Sequence, residues 1–152
     1  CMKNFIKFIL ILLPWFLSSI IFKVDSTFYT SLNLPKFAPP TYFFPIVWTV
    51  LYILIAISIY IVFNTIYYKY IKSYTNVLIY NYIFNQLFTF FFFSLKNIFL
   101  GFVDIVLTFI TSLFLYYETK EINEKASLFL IPYTLFTLFA LILNLTIYFM
   151  NL

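Results

Sequence analysis

Five continuous apolar blocks, at about residues 5 to 22, 42 to 65, 77 to 94, 98 to 117 and 127 to 149, alternate with short polar breaks along the chain. Each is long enough to cross a hydrocarbon core as an α-helix, which takes roughly 20 residues at about 1.5 Å of rise per residue. The charges collect in the breaks: Lys23, Asp25 and Lys36; Lys69 and Lys72; Lys96; and Glu118, Lys120, Glu121, Glu124 and Lys125. Because the runs are continuous rather than alternating, the β-branched and aromatic richness does not read as the strands of a transmembrane barrel. The pattern predicts an all-α integral membrane protein, one domain over residues 1–152, built as a bundle of five transmembrane helices. Lys3 and Lys7 ahead of the first block resemble the start of a signal peptide, but no small-residue cleavage pattern follows Pro14 and Trp15, so a retained first helix is expected.

Composition narrows the function. Of 152 residues, 64% are apolar and only 9% charged, whereas water-soluble domains draw about a quarter of their residues from charged types. A large soluble domain is excluded. With no His and a single Cys at position 1, histidine general-base chemistry, His-ligated haem, a thiolate metal cluster and an internal disulfide are not expected. No lipid-anchor motif surrounds Cys1, which carries no assigned chemistry. A Gly-rich phosphate loop, a hydrolytic acid pair and a basic nucleic-acid surface are likewise missing from the sequence. Lys3, Lys7, Lys69, Lys72, Lys120 and Lys125 fall on one side of the five-span topology and Lys23, Lys36 and Lys96 on the other; this bias places the N-terminus inside and the C-terminus outside.

The first loop, about residues 24 to 41, carries Pro35, Pro39 and Pro40 among Tyr29, Leu32, Leu34 and Phe37. Prolines stiffen it and its apolar residues need a surface to pack on, so it reads as a lid, with an interfacial turn bearing ordinary aromatic anchors as the alternative. Within the blocks, the polar residues carry the information. Asp104, in the fourth span, is expected to face the bundle interior, a neighbouring donor or a wet cavity, or else to stay partly hydrated near its helix start. Asn81 and Asn85 lie four apart on one face of the third span, continued by Thr89; Thr137, Ala140 and Asn144 form a second stripe on the fifth. Spacing leaves two readings open, interhelical glue or the polar points of a ligand cavity. Most of the 23 Phe and 14 Tyr rings are read as lipid-facing or packing groups, the run at 90–93 included. Trp48, beyond Pro45, stands apart because a buried indole N–H seeks a partner.

The order of these residues resembles the TspO/MBR family, the tryptophan-rich sensory proteins of bacteria and the translocator protein, or peripheral benzodiazepine receptor, of mitochondria. The stretch FYTSLNLPKFAPPTYFFPIVWTVLY, residues 28–52, is similar to the family's WYxxLxKPxFxPPxxxFxxxWTxLY. Phe28 stands for Trp and Leu34 for Lys, while Tyr29, Leu32, Pro35, Phe37, Pro39, Pro40, Phe44, Trp48, Thr49, Leu51 and Tyr52 match. In the third span NYIFNQLFTFFFF, from Asn81, is similar to QxxxNxxWSxxFF, with Asn81, Phe88 and Thr89 at the Gln, Trp and Ser positions. Asp104 stands where the family carries an acid. PYTLFTLFALILNLTIYFMN, from Pro132, resembles PYxxWxxFAxxLNxxIxxxN, with Phe136 for Trp.

This resemblance implies a five-helix bundle with the first loop folded over a ligand cavity, commonly in a homodimer. It implies a porphyrin such as protoporphyrin IX as ligand, or a sterol-like molecule, with no cofactor required. The matching ligand-binding positions are Tyr29, Trp48, Asn85, Phe88, Asp104, Phe136, Ala140 and Asn144, to which the polar stripe adds Asn81. Rings at 48, 88 and 136 would stack on a flat macrocycle, with a propionate near the Lys-bearing loop or the aqueous opening. The expected setting is the lipid bilayer, of the cell membrane in a bacterium or the mitochondrial outer membrane in a eukaryote. Three functions follow: a receptor or sensor that binds porphyrin and moves or buffers it; an enzyme degrading porphyrin under light, with Trp48 as its catalytic residue; or a structural protein with a vestigial pocket. Phe at 88 and 136 keeps stacking area but lacks indole's N–H and easier oxidation, which favours binding over turnover. The basic residue of a cholesterol-recognition pattern is missing after Ala140, and the single Gly101 offers little small-residue surface for a dimer.

Overall fold

The computed structural model describes residues 2–65 and 71–152; Cys1 and Lys69, invoked above, lie outside them. Eight helices occur among the described residues: α1 (Met2–Leu12), α2 (Leu17–Ile21), α3 (Ser26–Ser31), α4 (Phe43–Thr65), α5 (Ile71–Thr89), α6 (Ile98–Ile122), α7 (Glu124–Leu128) and α8 (Ile131–Met150). They make five helical stretches long and apolar enough to cross a membrane, Met2–Ile21, Phe43–Thr65, Ile71–Ser94, Ile98–Ile122 and Glu124–Met150. Leu10, Ile20 and Phe114 are among the many large side chains left on the outer surface, an arrangement that suits hydrocarbon and not water.

The helices run past the expected ends where polar residues still favour helix. α5 begins at Ile71, taking in Lys72, Ser73 and Asn76, and α6 continues through Glu118, Lys120 and Glu121. The fourth break shrinks to Asn123, whose side chain accepts from Ala126 N (3.0 Å) and caps α7. Helix propensity of Glu and Lys carries α6 beyond its apolar stretch.

The first span is helical and bent rather than straight. Pro14 lacks an N–H and crowds the preceding turn, and residues Leu13–Phe16 tighten into a 3-10 turn. Carbonyls of this turn also accept from α5: Tyr82 OH donates to Pro14 O (2.8 Å), which Leu17 N bonds as well, and Gln86 Nε2 to Trp15 O (3.0 Å). A neighbouring helix thus adds bonds to the backbone at the proline, as suits a membrane interior.

α6 lies between α5 and α8, while α4 packs against α1, α7 and α8. The bend redirects the first span: α1 lies along α4, and α2 packs against α5. At the other end of α5 the chain winds into a π turn, Phe90–Ser94, closed by Leu95 N to Phe90 O (2.9 Å). Lys96 then takes φ 51°, a left-handed conformation unusual for a side chain of its kind, before Asn97 caps α6 by accepting from Leu100 N. Gly101 lets this turn approach α6, since a Cβ there would stand 2.8 Å from Phe92 Cδ2.

The first loop folds onto the bundle. Asp25 caps α3 through Phe28 N (2.9 Å) and pairs with Lys96 Nζ at 3.2 Å, joining the first and third loops. Its far end is clamped to the end of α8: Asn33 N donates to Asn151 Oδ1 (2.9 Å), Asn151 Nδ2 to Asn33 O (3.0 Å) and Asn33 Nδ2 to Met150 O (3.3 Å). At the opposite end of the bundle, Lys7 Nζ donates to Asn64 Oδ1 (2.7 Å) and Ser73 Oγ to Glu118 Oε1 (2.8 Å). The described lysines therefore divide between the two ends as the spans require, with Lys23, Lys36 and Lys96 on the first-loop side.

Candidate functional site

A cavity of about 380 Å³ lies in the half of the bundle nearest the first loop, within the ~300–1,000 Å³ usual for small-molecule sites. Rings form much of its wall. Trp48 comes from α4, Phe88 from α5, Phe136 from α8, Phe92 and Phe93 from the π turn, and Tyr29 from the lid. Trp48 meets Phe136 edge-on at 5.3 Å, and Phe88 stacks on Phe92 at 5.5 Å. Trp48 is only half-buried, so its indole N–H is under no obligation to find a protein partner. Tyr29 is buried; its OH donates to Pro39 O (3.0 Å), and burial pushes its phenol above the ordinary value, so it keeps the donated proton. This side chain is held between the proline run and Phe44.

Phe92 and Phe93 correct the reading of the 90–93 run as packing or lipid-facing residues alone. The i→i+5 bonding of the π turn widens the helix and slows its rotation per residue, so two successive rings reach the interior. A regular helical period gives no warning of this.

Seven of the nine expected site residues line the cavity: Tyr29, Trp48, Asn85, Phe88, Phe136, Ala140 and Asn144. Asn81 and Asp104 do not. Asn81 is fully buried one turn from Asn85; its Oδ1 accepts from Tyr133 OH (2.9 Å), and its Nδ2 donates to Thr108 O (3.2 Å) and Thr111 Oγ1 (3.0 Å). Asp104 faces the interior, 3% exposed, with Oδ2 lacking a hydrogen-bond partner among the described residues. Its neighbours Ile105 and Thr108, rather than Asp104 itself, reach the cavity wall.

Below the cavity a continuous hydrogen-bond network joins all five spans. Ser18 N donates to Gln86 Oε1 (2.8 Å), and Gln86 Nε2 donates to Asn85 Oδ1 (3.0 Å), which also accepts from Tyr52 OH (3.0 Å). Asn85 Nδ2 donates to Tyr133 Oη (3.3 Å), and Tyr133 passes the chain to Asn81 and so to α6. Gln86, Tyr52 and Tyr133 are the members that stripe spacing missed. Gln86 points to the bent first span, off the Asn81–Asn85 face, and Tyr133 extends the Thr137–Asn144 stripe by one turn. The signal was three amides within six residues of one apolar helix.

Asn144 stands outside this network. Its Nδ2 donates to Ala140 O one turn back (2.8 Å), and its Oδ1 is buried without a partner. Among the described residues, buried side-chain oxygens without partners occur at Ser58, Asp104, Thr134 and Asn144, and of these only Asn144 lines the cavity. An orphaned acceptor in a low-dielectric interior costs about 1–3 kcal/mol, and a ligand N–H or O–H would recover it. Among the described residues no cluster of three or more His, Cys, Asp or Glu could hold a metal ion.

Comparison with known proteins agrees with this architecture. A sequence model of the TspO/MBR family matches residues 6–150. The tryptophan-rich protein TspO of Bacillus cereus is 39% identical over 137 residues, covering 90% of this chain and 89% of its own. The uncharacterized membrane protein YtaB of Bacillus subtilis is 37% identical over 132 residues, covering 87% and 85%. The tryptophan-rich protein TspO of Archaeoglobus fulgidus is 34% identical over 130 residues, covering 82% and 80%. With five spans, the lid over the bundle and matches of this extent, the chain belongs to the TspO/MBR family of multi-pass integral membrane proteins.

Proposed function

We propose that the protein is a membrane receptor that binds a porphyrin-like, metal-free tetrapyrrole, and that it holds or passes on this ligand rather than transforming it. The observation that carries the reading is the cavity itself, walled by rings from four spans, the π turn and the lid, with Asn144, whose buried Oδ1 has no partner, among its lining residues. Rings supply stacking area for a flat macrocycle. The acceptor favours a ligand with its own N–H or carboxylic O–H donors, and the saturated Asn85 network below gives the cavity a rigid floor. A sterol offers a single hydroxyl and no flat aromatic face, which ranks it below the tetrapyrrole. One of the three family tryptophan positions in the wall, Trp48, keeps its indole, so oxidation through a set of indoles has little support.

A dark titration of nanodisc-held protein with protoporphyrin IX, followed by porphyrin absorbance, tests this. Saturable binding near one ligand per chain is expected, with Asn144→Leu weakening it about tenfold for one lost hydrogen bond and Trp48→Phe weakening it less. Absorbance changes that never saturate and ignore both substitutions would mean partition into lipid, and the reading would fall.

A further inference from the structure

We propose that the cavity opens sideways into the leaflet on the first-loop side, through a portal between α2 and α4, and that Lys23 at its sill takes the anionic head group of an amphiphilic ligand. This rests on the reading of the cavity as a ligand site and adds the route and the chemistry of the ligand's outer end. The lining residues that are exposed all belong to two short segments. Ser19 comes from α2, Lys23 and Val24 from the non-helical segment that follows it, and Pro45 and Thr49 from the first turns of α4. Tyr29 of the lid and the wall residues from α6 are buried, so neither the body of the lid beyond Val24 nor the far side provides the mouth.

The gap has a cause in the sequence. Pro14 bends the first span away from α4, along which α1 lies, and sends α2 against α5. The two hydroxyls at the rim do not bridge the gap, because each is spent on its own helix: Ser19 Oγ donates to Phe16 O (2.7 Å) and Thr49 Oγ1 to Pro45 O (2.7 Å). Among the described residues, Lys23 is the one charged residue lining the cavity. It makes no ion pair among the described residues, and the acid two positions on, Asp25, is engaged by Lys96 and Phe28 N instead.

Depth completes the argument. Lys23 follows directly on the end of the first span, where a lysine keeps its ammonium at the level of the lipid head groups. An amphiphile already dissolved in the leaflet carries its anion at that same depth and its apolar body alongside the rings of the wall. Sliding inward between α2 and α4 keeps the anion at the interface throughout and never exposes the apolar body to water. A carboxylate of the ligand and a phosphate of an anionic lipid share this chemistry, and the experiment separates them.

The route is tested in a Cys1→Ser background with single cysteines, Thr49→Cys at the rim and Lys36→Cys on the exposed lid, each coupled to a bulky maleimide. The rim adduct is expected to slow association of protoporphyrin IX about tenfold or more, and the lid adduct to leave it within about twofold. The reverse pattern would overturn the portal in favour of passage under the lid. The head-group role is tested with Lys23→Gln against protoporphyrin IX and its dimethyl ester in phosphatidylcholine nanodiscs. Three- to fivefold weaker binding of the diacid with the ester unchanged supports it, at about the strength of an interfacial ion pair; equal effects on both ligands, or none, overturn it. Adding phosphatidylglycerol assigns the source: competition with the diacid that Lys23→Gln abolishes identifies lipid phosphate as a second occupant of Lys23, and no competition leaves the ligand carboxylate as its partner. Lipid carrying brominated acyl chains gives a readout without porphyrin, as the portal exposes Trp48 to the chains. Quenching that Trp48→Phe removes would keep the portal standing even if protoporphyrin IX failed to bind saturably, whereas unquenched Trp48 emission would sink the portal while leaving the porphyrin reading intact.

Discussion

Asn81 and Asn144 are the same side chain in the same bundle, both buried, and they do opposite things. Asn81 is 0% exposed and spends both of its amide atoms on two other helices. Asn144 lines the cavity, is 4% exposed and turns its Nδ2 back on its own helix, leaving its buried Oδ1 without a partner. Burial and residue type fail to separate them; the count of satisfied bonds does. A saturated amide in a membrane interior is a joint between helices, while an unsatisfied one beside a cavity retains the full cost of its desolvation until a donor arrives.

The largest effect that would break this comparison is on stability. Asn81→Leu removes three hydrogen bonds and leaves the Tyr133 hydroxyl proton without its acceptor, at a cost of about 2–3 kcal/mol given ~0.6–1.7 kcal/mol for each interhelical bond. Asn144→Leu removes a bond within one turn and an orphaned acceptor, so unfolding should stay within about 1 kcal/mol of wild type. Thermal unfolding of both variants in one detergent checks the pair. Similar losses in the two would erase the distinction between joint and site.

Next comes the π turn, on which the upper half of the molecule depends as the lower half depends on Asn81. Gly101→Ala would place a methyl 2.8 Å from Phe92 Cδ2 and 3.0 Å from Phe92 Cβ. Cβ is fixed to the backbone, so rotating the ring cannot relieve the contact and the turn itself must shift, at about 1–3 kcal/mol. Because Phe92 lines the cavity, ligand affinity should fall together with stability. An affinity unchanged in a variant of lowered melting temperature would show that the wall does not depend on the turn.

Much of this was legible in the chain and some was not, for physical reasons. Five spans follow from five apolar blocks because backbone groups in lipid leave few alternatives to helix. The lid was legible from its prolines and from apolar side chains needing cover. The stripes 81/85 and 137/140/144 marked inward faces, yet spacing could not say which amide would find partners: that depends on the depth at which Tyr133 and Thr108 arrive from other helices. Phe92 and Phe93 were hidden by a π turn that breaks the helical period. Gln86 was hidden because its partners include carbonyl and amide groups at the Pro14 bend, a long-range contact that local pattern does not carry.

A smaller effect separates the lid's two fastenings. Asn151→Ala removes the two bonds that hold Asn33 to the end of α8 through the Asn151 side chain. Exposed as they are, their loss should cost about 1 kcal/mol. The consequence belongs to the upper half alone: hydrogen exchange should quicken at residues 32–34 and remain unchanged around Asn81. Quickening at both places would mean that lid and network open as one unit.

The smallest effect concerns the other fastening, and pH isolates it. The hydrogen bond from Phe28 N, and after it the side-chain contact with Lys96, hold the Asp25 carboxyl below its ordinary value of 3.8. A carboxyl lowered on folding contributes stability above its unfolded value and loses that contribution as pH falls through the folded one. The lid should therefore be equally well held from neutrality down to about pH 5 and begin to loosen only below about pH 4. The ion pair is exposed, so added salt should weaken its share wherever Asp25 is ionised while sparing the cap bond to Phe28 N. Limited proteolysis across residues 26–34 between pH 6 and 3, with an acid-tolerant protease, reads this directly. Asp25→Asn should cleave at a rate that hardly varies over the same range. If wild type and Asp25→Asn trace the same profile, the lid is held by the Asn33–Asn151 clamp and Tyr29 alone, and the contact between the first and third loops plays no part in closing the cavity.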